Sequence, residues 1–148
     1  MSVARVLLVD DSSHFRRFIR GLLEAKQEFQ VVGEAADGLE AVRQTAQLKP
    51  DLILLDIDLP KLDGIQAAKA TLKAAPRSRI VFVTANSSTS LAEKALKIGA
   101  KGYVVKSEVA KDLLRAIEVV MSNKQFVSEV IVGYESLKSF RNETQIAD

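Results

Sequence analysis

The chain contains no cysteine, which removes disulfide bonds, thiolate metal sites and a cysteine nucleophile together. It contains one histidine, His14, so a multi-histidine metal centre is excluded as well. No apolar stretch approaches the ~20 residues that a membrane-spanning helix requires. An excess of charge is also missing: 21 Lys and Arg face 19 Asp and Glu, a formal net charge of +2. Such a balance creates no strong field for nucleic acid or an anionic membrane, and direct contact with either is not expected. The N-terminal "MSVARVLLVD" places an aspartate where a secretory leader would carry small residues. No repeat, low-complexity segment or linker rich in Pro, Gly or Ser interrupts residues 1–122. These absences leave a 148-residue chain of ordinary globular composition, expected to be cytoplasmic with a single core.

Five short apolar runs are present: "ARVLLV" at 4–9, "VVGEAA" at 31–36, "LILLD" at 52–56, "IVFVT" at 80–84 and "YVVK" at 103–106. The first, third and fourth are nearly continuous in Val, Ile, Leu and Phe, as in parallel strands covered on both faces. Between them the spacing turns helical. Phe15, Phe18, Ile19, Leu22 and Leu23 make one stripe. Ile65, Ala68 and Leu72 make another, as do Leu91, Ala95 and Ile98. Val109, Leu113, Ala116, Ile117 and Val120 make the last. Leu39, Val42 and Ala46 mark a weaker helix that Pro50 ends from beyond. This alternation predicts a three-layer α/β sandwich: a five-stranded parallel sheet with helices on both faces, in the flavodoxin-like order 2-1-3-4-5.

Open parallel sheets bind ligands beyond the carboxyl ends of their strands, where strand order reverses. Asp10 and Asp11 follow the first run, Asp56 ends the third, Thr84 the fourth and Lys106 the fifth. Singly, each has a plain structural role. Asp11 or Ser12 can cap a helix, Thr84 suits a strand, and Lys106 can be a solvated lysine. Asp63–Gly64 reads as a turn with Asp63 capping the third helix. Asp56 is different, because a carboxylate on a buried strand needs a cation near it. Grouped carboxylates call for a hard divalent ion, and Mg²⁺ prefers few carboxylates plus water and phosphate oxygens. A hydroxyl and an ammonium would then serve a phosphoryl group on Asp56.

At these residues the sequence resembles the receiver domain of two-component response regulators. The matching stretches are "LLVDDSSHFRRFIRGLL", "DLILLDIDLPKLDG", "VFVTA" and "GAKGYVVK", in family order over residues 4 to 122. The resemblance implies that Asp56 accepts a phosphoryl group from a histidine kinase or phosphotransfer protein. It implies that Asp11, Asp56 and the Asp58 backbone carbonyl hold Mg²⁺, with Asp10 acting through water. It assigns Thr84 and Lys106 to the phosphoryl oxygens, and Thr84 and Tyr103 to a switch in which Tyr103 turns inward on activation. It gives the chain no enzymatic role beyond its own phosphorylation and dephosphorylation. "GAKGYVVKSE", with no proline after Lys106, and "DGLEAV" look most like receivers of NarL/FixJ-like helix-turn-helix regulators. Asp58 and Leu59 depart modestly from the family pattern. With its carbonyl assigned to the metal, Asp58 has a free side chain, expected to tune phosphoryl lifetime together with Asn86. His14 is expected on the solvent side of the first helix.

Residues 123–148 are expected to form an extension with one helix, near 128–140, and then a tail. Its three basic residues, Lys124, Lys138 and Arg141, face Glu129, Glu135, Glu143 and Asp148, a net of minus one. A segment that grips DNA phosphates should instead be basic. The chain is therefore expected to be either a stand-alone receiver or a piece of a longer regulator. Phe126, Val130, Val132 and Tyr134 are expected to dock on the receiver or mediate self-association, with core packing the default. The surface for a downstream partner or output domain would be the fourth helix, fifth strand and fifth helix; a monomer and a phosphorylation-dependent homodimer both stay open. Two rivals exist. A haloacid-dehalogenase-like phosphatase would explain "DID" at 56–58, but its nucleophile strand normally comes first. A pseudo-receiver would not need Asp10, Asp11, Asp56, Thr84 and Lys106 intact.

Overall fold

A computed structural model describes residues 3–131, and the chain divides into two compact units, residues 1–80 and 81–148. The first holds β1 (Ala4–Val9), α1 (Ser13–Glu24), β2 (Phe29–Ala35), α2 (Gly38–Leu48), β3 (Leu52–Leu55) and α3 (Gly64–Ala74). β4 (Arg79–Thr84) begins at the boundary. α4 (Thr89–Lys97), β5 (Gly102–Val105), a 3₁₀ turn (Lys106–Glu108), α5 (Val109–Met121) and β6 (Phe126–Val127) follow. Within the first unit β1 lies between β2 and β3, parallel to both. Within the second, β5 lies between β4 and β6, again parallel to both. Each arrangement agrees with the expected 2-1-3-4-5 order, to which β6 adds a sixth strand.

The continuous apolar runs become central strands for the expected reason. Val6 to Val9 of β1 and all four residues of β3 are buried, which requires cover on both faces. Each Leu or Ile so buried contributes roughly 1.5–3 kcal/mol. On α5 the whole expected stripe, from Val109 to Val120, is buried. On α1 only Ile19 and Leu23 are fully buried, and Phe18 stays 46% exposed.

Four helices start on the side-chain caps that the sequence offers. The Ser12 hydroxyl accepts from Phe15 N–H at 3.1 Å, Asp37 from Glu40 N–H at 2.8 Å, Asp63 from Gln66 N–H at 3.0 Å and Ser88 from Leu91 N–H at 3.3 Å. Asp63 is thus the cap expected of it. α2 differs from expectation in its orientation. It buries Gly38, Ala41 and Thr45, whereas Leu39 is 56% exposed. The cause is local: a Cβ on Gly38 would lie 1.9 Å from the Leu62 carbonyl oxygen. Only glycine permits that approach, and seating Gly38 there turns the Leu39 face outward.

Glu34 of β2 ties α1 to the sheet. Arg16 Nε donates to it at 2.8 Å, and Arg20 donates through Nε at 2.9 Å and Nη2 at 2.7 Å. Burial raises the Glu34 pKa, but the hydrogen bonds from Arg16 and Arg20 outweigh it and hold the carboxyl below its usual range. A carboxyl with a lower pKa folded than unfolded supports stability above its unfolded pKa and loses it as pH falls through the folded value. Glu34→Gln should therefore cost about 1 kcal/mol at pH 7, a figure discounted for solvent screening. Urea unfolding should show that difference shrinking once pH drops below about 4.

β6 was not expected. It runs along β5, with Gly102 opposite Phe126 and Tyr103 opposite Val127. The surface expected for output, α4 with β5 and α5, thus has its strand covered by the chain's own residues. Phe126 is buried as expected, while Val130 is 42% exposed. Residues 128–131 form a turn rather than a helix start. The remainder of the expected helix, with Val132 and Tyr134, lies outside the described residues.

Candidate functional site

The β1–β3 register builds the acidic half of the site. It pairs Val9 with Leu55, so the residues that follow, Asp10 and Asp56, leave the sheet side by side. Asp56 N–H closes the ladder on the Val9 carbonyl at 3.0 Å. Asp10 and Asp56 are only 4% and 5% exposed, whereas Asp11 is exposed. One carboxylate oxygen from each of the three lies within 4.8 Å of the other two. Because Ser12 caps α1, Asp11 is not consumed as the cap. Ser12 N–H donates to Asp10 Oδ1 at 2.9 Å, and the Arg16 guanidinium donates to the Asp10 backbone carbonyl. These bonds fix the bend that carries the chain from β1 into α1.

Three carboxylates at this separation repel one another, and hard oxygen donors of this kind suit a hard divalent cation. The residues present therefore fit a metal of that class.

Beyond Asp56, the loop to α3 is folded tightly on itself. Gly64 N–H donates to the Ile57 carbonyl at 2.7 Å and Leu62 N–H to the Pro60 carbonyl at 2.8 Å, with Lys61 at φ 69°. Gly38 N–H reaches the Pro60 carbonyl at 3.3 Å, and Lys61 Nζ sits 3.5 Å from Asp37 Oδ2. The Asp58 side chain is exposed, and its N–H lies 3.4 Å from Asp56 Oδ1. A Cβ on Gly64 would stand 2.1 Å from the Asp56 carbonyl oxygen. Gly64 is thus part of how Asp56 is held, a role its reading as a turn signal did not reveal.

In the second unit the β4–β5 register pairs Thr84 with Val105, so Lys106 follows directly beside the Thr84 strand end. Thr84 is fully buried, and Lys106 is half-buried in the 3₁₀ turn. Asn86 N–H lies 3.4 Å from Thr84 Oγ1. Tyr103 is wholly inward: it packs near Phe82, with ring centroids 6.4 Å apart, and its hydroxyl donates to the Asn86 carbonyl at 2.7 Å. His14 is exposed on α1.

With this geometry in view, the comparisons with known proteins decide the family. The family model of the response regulator receiver domain matches residues 6–118. The chain belongs to that family. It is 33% identical over 137 residues to the response regulator GacA of Pseudomonas viridiflava, covering 93% of this chain and 64% of the relative. It is 37% identical to a protein-glutamate methylesterase/protein-glutamine glutaminase of Thermotoga maritima, covering 81% of this chain and 38% of that protein. The crystal structure of a LuxR-family two-component response regulator from Aurantimonas sp. SI85-9A1 is 34% identical. It covers 94% of this chain and 99% of that one, with a TM-score of 0.86. The receiver thus has the flavodoxin-like parallel α/β fold expected, and it spans about two thirds or less of the curated relatives' length. Among the described residues, no helix is long and apolar enough to cross a membrane.

Proposed function

We propose that this receiver takes a phosphoryl group onto Asp56 from a histidine kinase or phosphotransfer protein, in a Mg²⁺-dependent reaction. The observation that carries this reading is the clustering of Asp10, Asp11 and Asp56 where β1 and β3 end in register. An Asp56 carboxylate oxygen attacks phosphorus; the bond from phosphorus to the donor's histidine nitrogen breaks as the acyl phosphate forms. Water later cleaves that acyl phosphate and restores the carboxylate. Asp11, Asp56 and the Asp58 carbonyl would hold Mg²⁺, with Asp10 supporting through water. When bound, the ion neutralises the charge that collects on the carboxylates and the transferring oxygens.

In this reading Thr84 donates its hydroxyl, and Lys106 its ammonium, to the phosphoryl oxygens. Shifting a two-state switch from mostly off to mostly on needs about 5.5 kcal/mol of differential binding. Two or three hydrogen bonds to a charged group, at roughly 1.5–3 kcal/mol each, are of that size. The inward Tyr103, anchored on the Asn86 carbonyl, is the switch residue. Its position would report to a downstream protein, an attached output domain or a second copy of the chain. No external substrate is turned over, and the protein would act in the cytoplasm.

Incubation of the purified chain with acetyl phosphate tests this directly. Mass spectrometry should show one phosphoryl adduct that needs Mg²⁺ and is lost in Asp56→Asn. Turnover of a generic phosphomonoester would favour the phosphatase instead, and absence of any adduct would favour a pseudo-receiver. Asp58 and Asn86 are both exposed, each two residues beyond a proposed phosphoryl-site residue, Asp56 and Thr84; in this reading, exchanging either should change the autodephosphorylation rate severalfold. Unchanged decay in both variants would remove them from the mechanism.

A further inference from the structure

The second unit contains a buried polar chain that the phosphoryl chemistry does not use. Asp112 of α5 is 6% exposed, and Ser128 is fully buried. Ser128 Oγ donates to Asp112 Oδ2 at 2.8 Å, and Val105 N–H donates to Ser128 Oγ at 3.1 Å. A hydroxyl has one proton and two lone pairs, so Ser128 donates its O–H to the Asp112 carboxylate and keeps a lone pair to accept from Val105 N–H. The β6 segment joins β5 through Phe126 N–H on the Lys101 carbonyl and Ser128 N–H on the Tyr103 carbonyl, each at 3.0 Å. Val105 is the last residue of β5, and the neighbouring β6 segment is already turning away there, with Ile131 N–H on the Ser128 carbonyl at 3.2 Å. The hydroxyl therefore does what a strand carbonyl would have done one step further along. Lys106 comes next, and the 3₁₀ turn that it opens leads into α5, whose first turn carries Asp112. Both ends of the segment bearing Lys106 are tied to one hydroxyl.

From this we infer that Ser128, oriented by Asp112, is a positioning residue that sets the backbone at Val105 and so aims the Lys106 ammonium. The inference rests on the phosphoryl role of Lys106 proposed above. It makes the segment after α5 part of the phosphorylation machinery. An apolar pair could fill the same space but would leave the buried Val105 N–H without the acceptor that Ser128 supplies; the polar pair both satisfies that N–H and fixes the register there.

The test is the dependence of phosphorylation rate on acetyl phosphate concentration, at fixed Mg²⁺, in the full chain. Ser128→Ala, Ser128→Thr and Asp112→Leu are measured alone and combined with Lys106→Ala, with thermal unfolding recorded for each. Ser128→Ala should slow the saturating rate about tenfold while the protein remains folded, as a small misplacement of a reacting group does. Ser128→Thr, which keeps the hydroxyl, should remain near the parent. In the Lys106→Ala background Ser128→Ala should cause no further slowing, because its effect passes through that lysine. A Ser128→Ala protein that melts earlier yet labels at the parental rate overturns the inference. So does equal slowing with and without Lys106. Should Ser128→Ala not fold, Asp112→Leu, which removes the acceptor that orients the hydroxyl, carries the same test: a slowing seen with Lys106 present and absent in Lys106→Ala supports the inference, and a parental rate in the folded variant sinks it. A parent chain that takes no label at all contradicts the phosphoryl-site reading instead.

Discussion

Gly64→Ala is expected to lower the unfolding free energy by about 3 kcal/mol, at the upper end for overpacking. The new Cβ would meet the Asp56 carbonyl oxygen at 2.1 Å and the Ile57 Cα at 2.5 Å. Both are backbone atoms of the segment that leaves β3, so no side-chain rotation can relieve the clash. For a chain of this length the unfolding temperature should fall by roughly 6–12 °C. The same substitution at Gly21, where a Cβ meets nothing within 4 Å, should have the opposite sign. There, alanine's better helix propensity should stabilise α1 by roughly 0.5–1 kcal/mol. Phosphorylation should slow in Gly64→Ala and be unchanged in Gly21→Ala. Urea unfolding of the pair, alongside labelling rates, checks all four outcomes; a Gly64→Ala protein as stable as the parent would mean that the loop has room the geometry denies it.

Asp11→Asn should separate stability from metal binding. One of three mutually repelling carboxylates is removed, and Asp11 is the exposed one, so in chelator the variant should be slightly more stable than the parent. Mg²⁺ at ten times its Kd stabilises a folded protein that binds it by about 1.4 kcal/mol. The parent should accordingly gain roughly 3–6 °C in unfolding temperature on adding the ion. Asp11→Asn should lose nearly all of that gain, because a hard cation is left with fewer anionic oxygens. Thermal unfolding with chelator and with Mg²⁺ gives both signs in one experiment. An undiminished gain in the variant would place the ion elsewhere.

The parts of the fold that sequence revealed are those dominated by burial on two faces. β1, β3 and β4 announce themselves through nearly continuous Val, Ile, Leu and Phe, and the polar residues that end them mark the edge where a site forms. Asp63 could be told from Asp56 because a cap precedes a helix, whereas Asp56 follows a buried strand. Other features depend on approach distances that no periodicity encodes. Leu39 looked like a core position on α2, but the closeness of Gly38 to the Leu62 carbonyl turns that face to solvent. Gly64 read as punctuation because its steric role depends on backbone seven and eight residues upstream, at Ile57 and Asp56. β6 was missed because two residues make too short a pattern, and because a hydroxyl relay completes its attachment. A signal was present in Asp112, a carboxylate three residues after Val109 on the edge of an otherwise apolar stripe. Such a residue asks for a buried partner, and Ser128 supplies it.

Borohydride reduction of the phosphorylated chain, followed by peptide mass mapping, tests the central claim most directly, since reduction converts an aspartyl phosphate to homoserine at the residue that carried it. The account predicts one homoserine, at position 56, formed only when Mg²⁺ accompanies the phosphodonor. Homoserine at position 10, 11 or 58 instead, or labelling at Asp56 that proceeds equally in chelator, would contradict it.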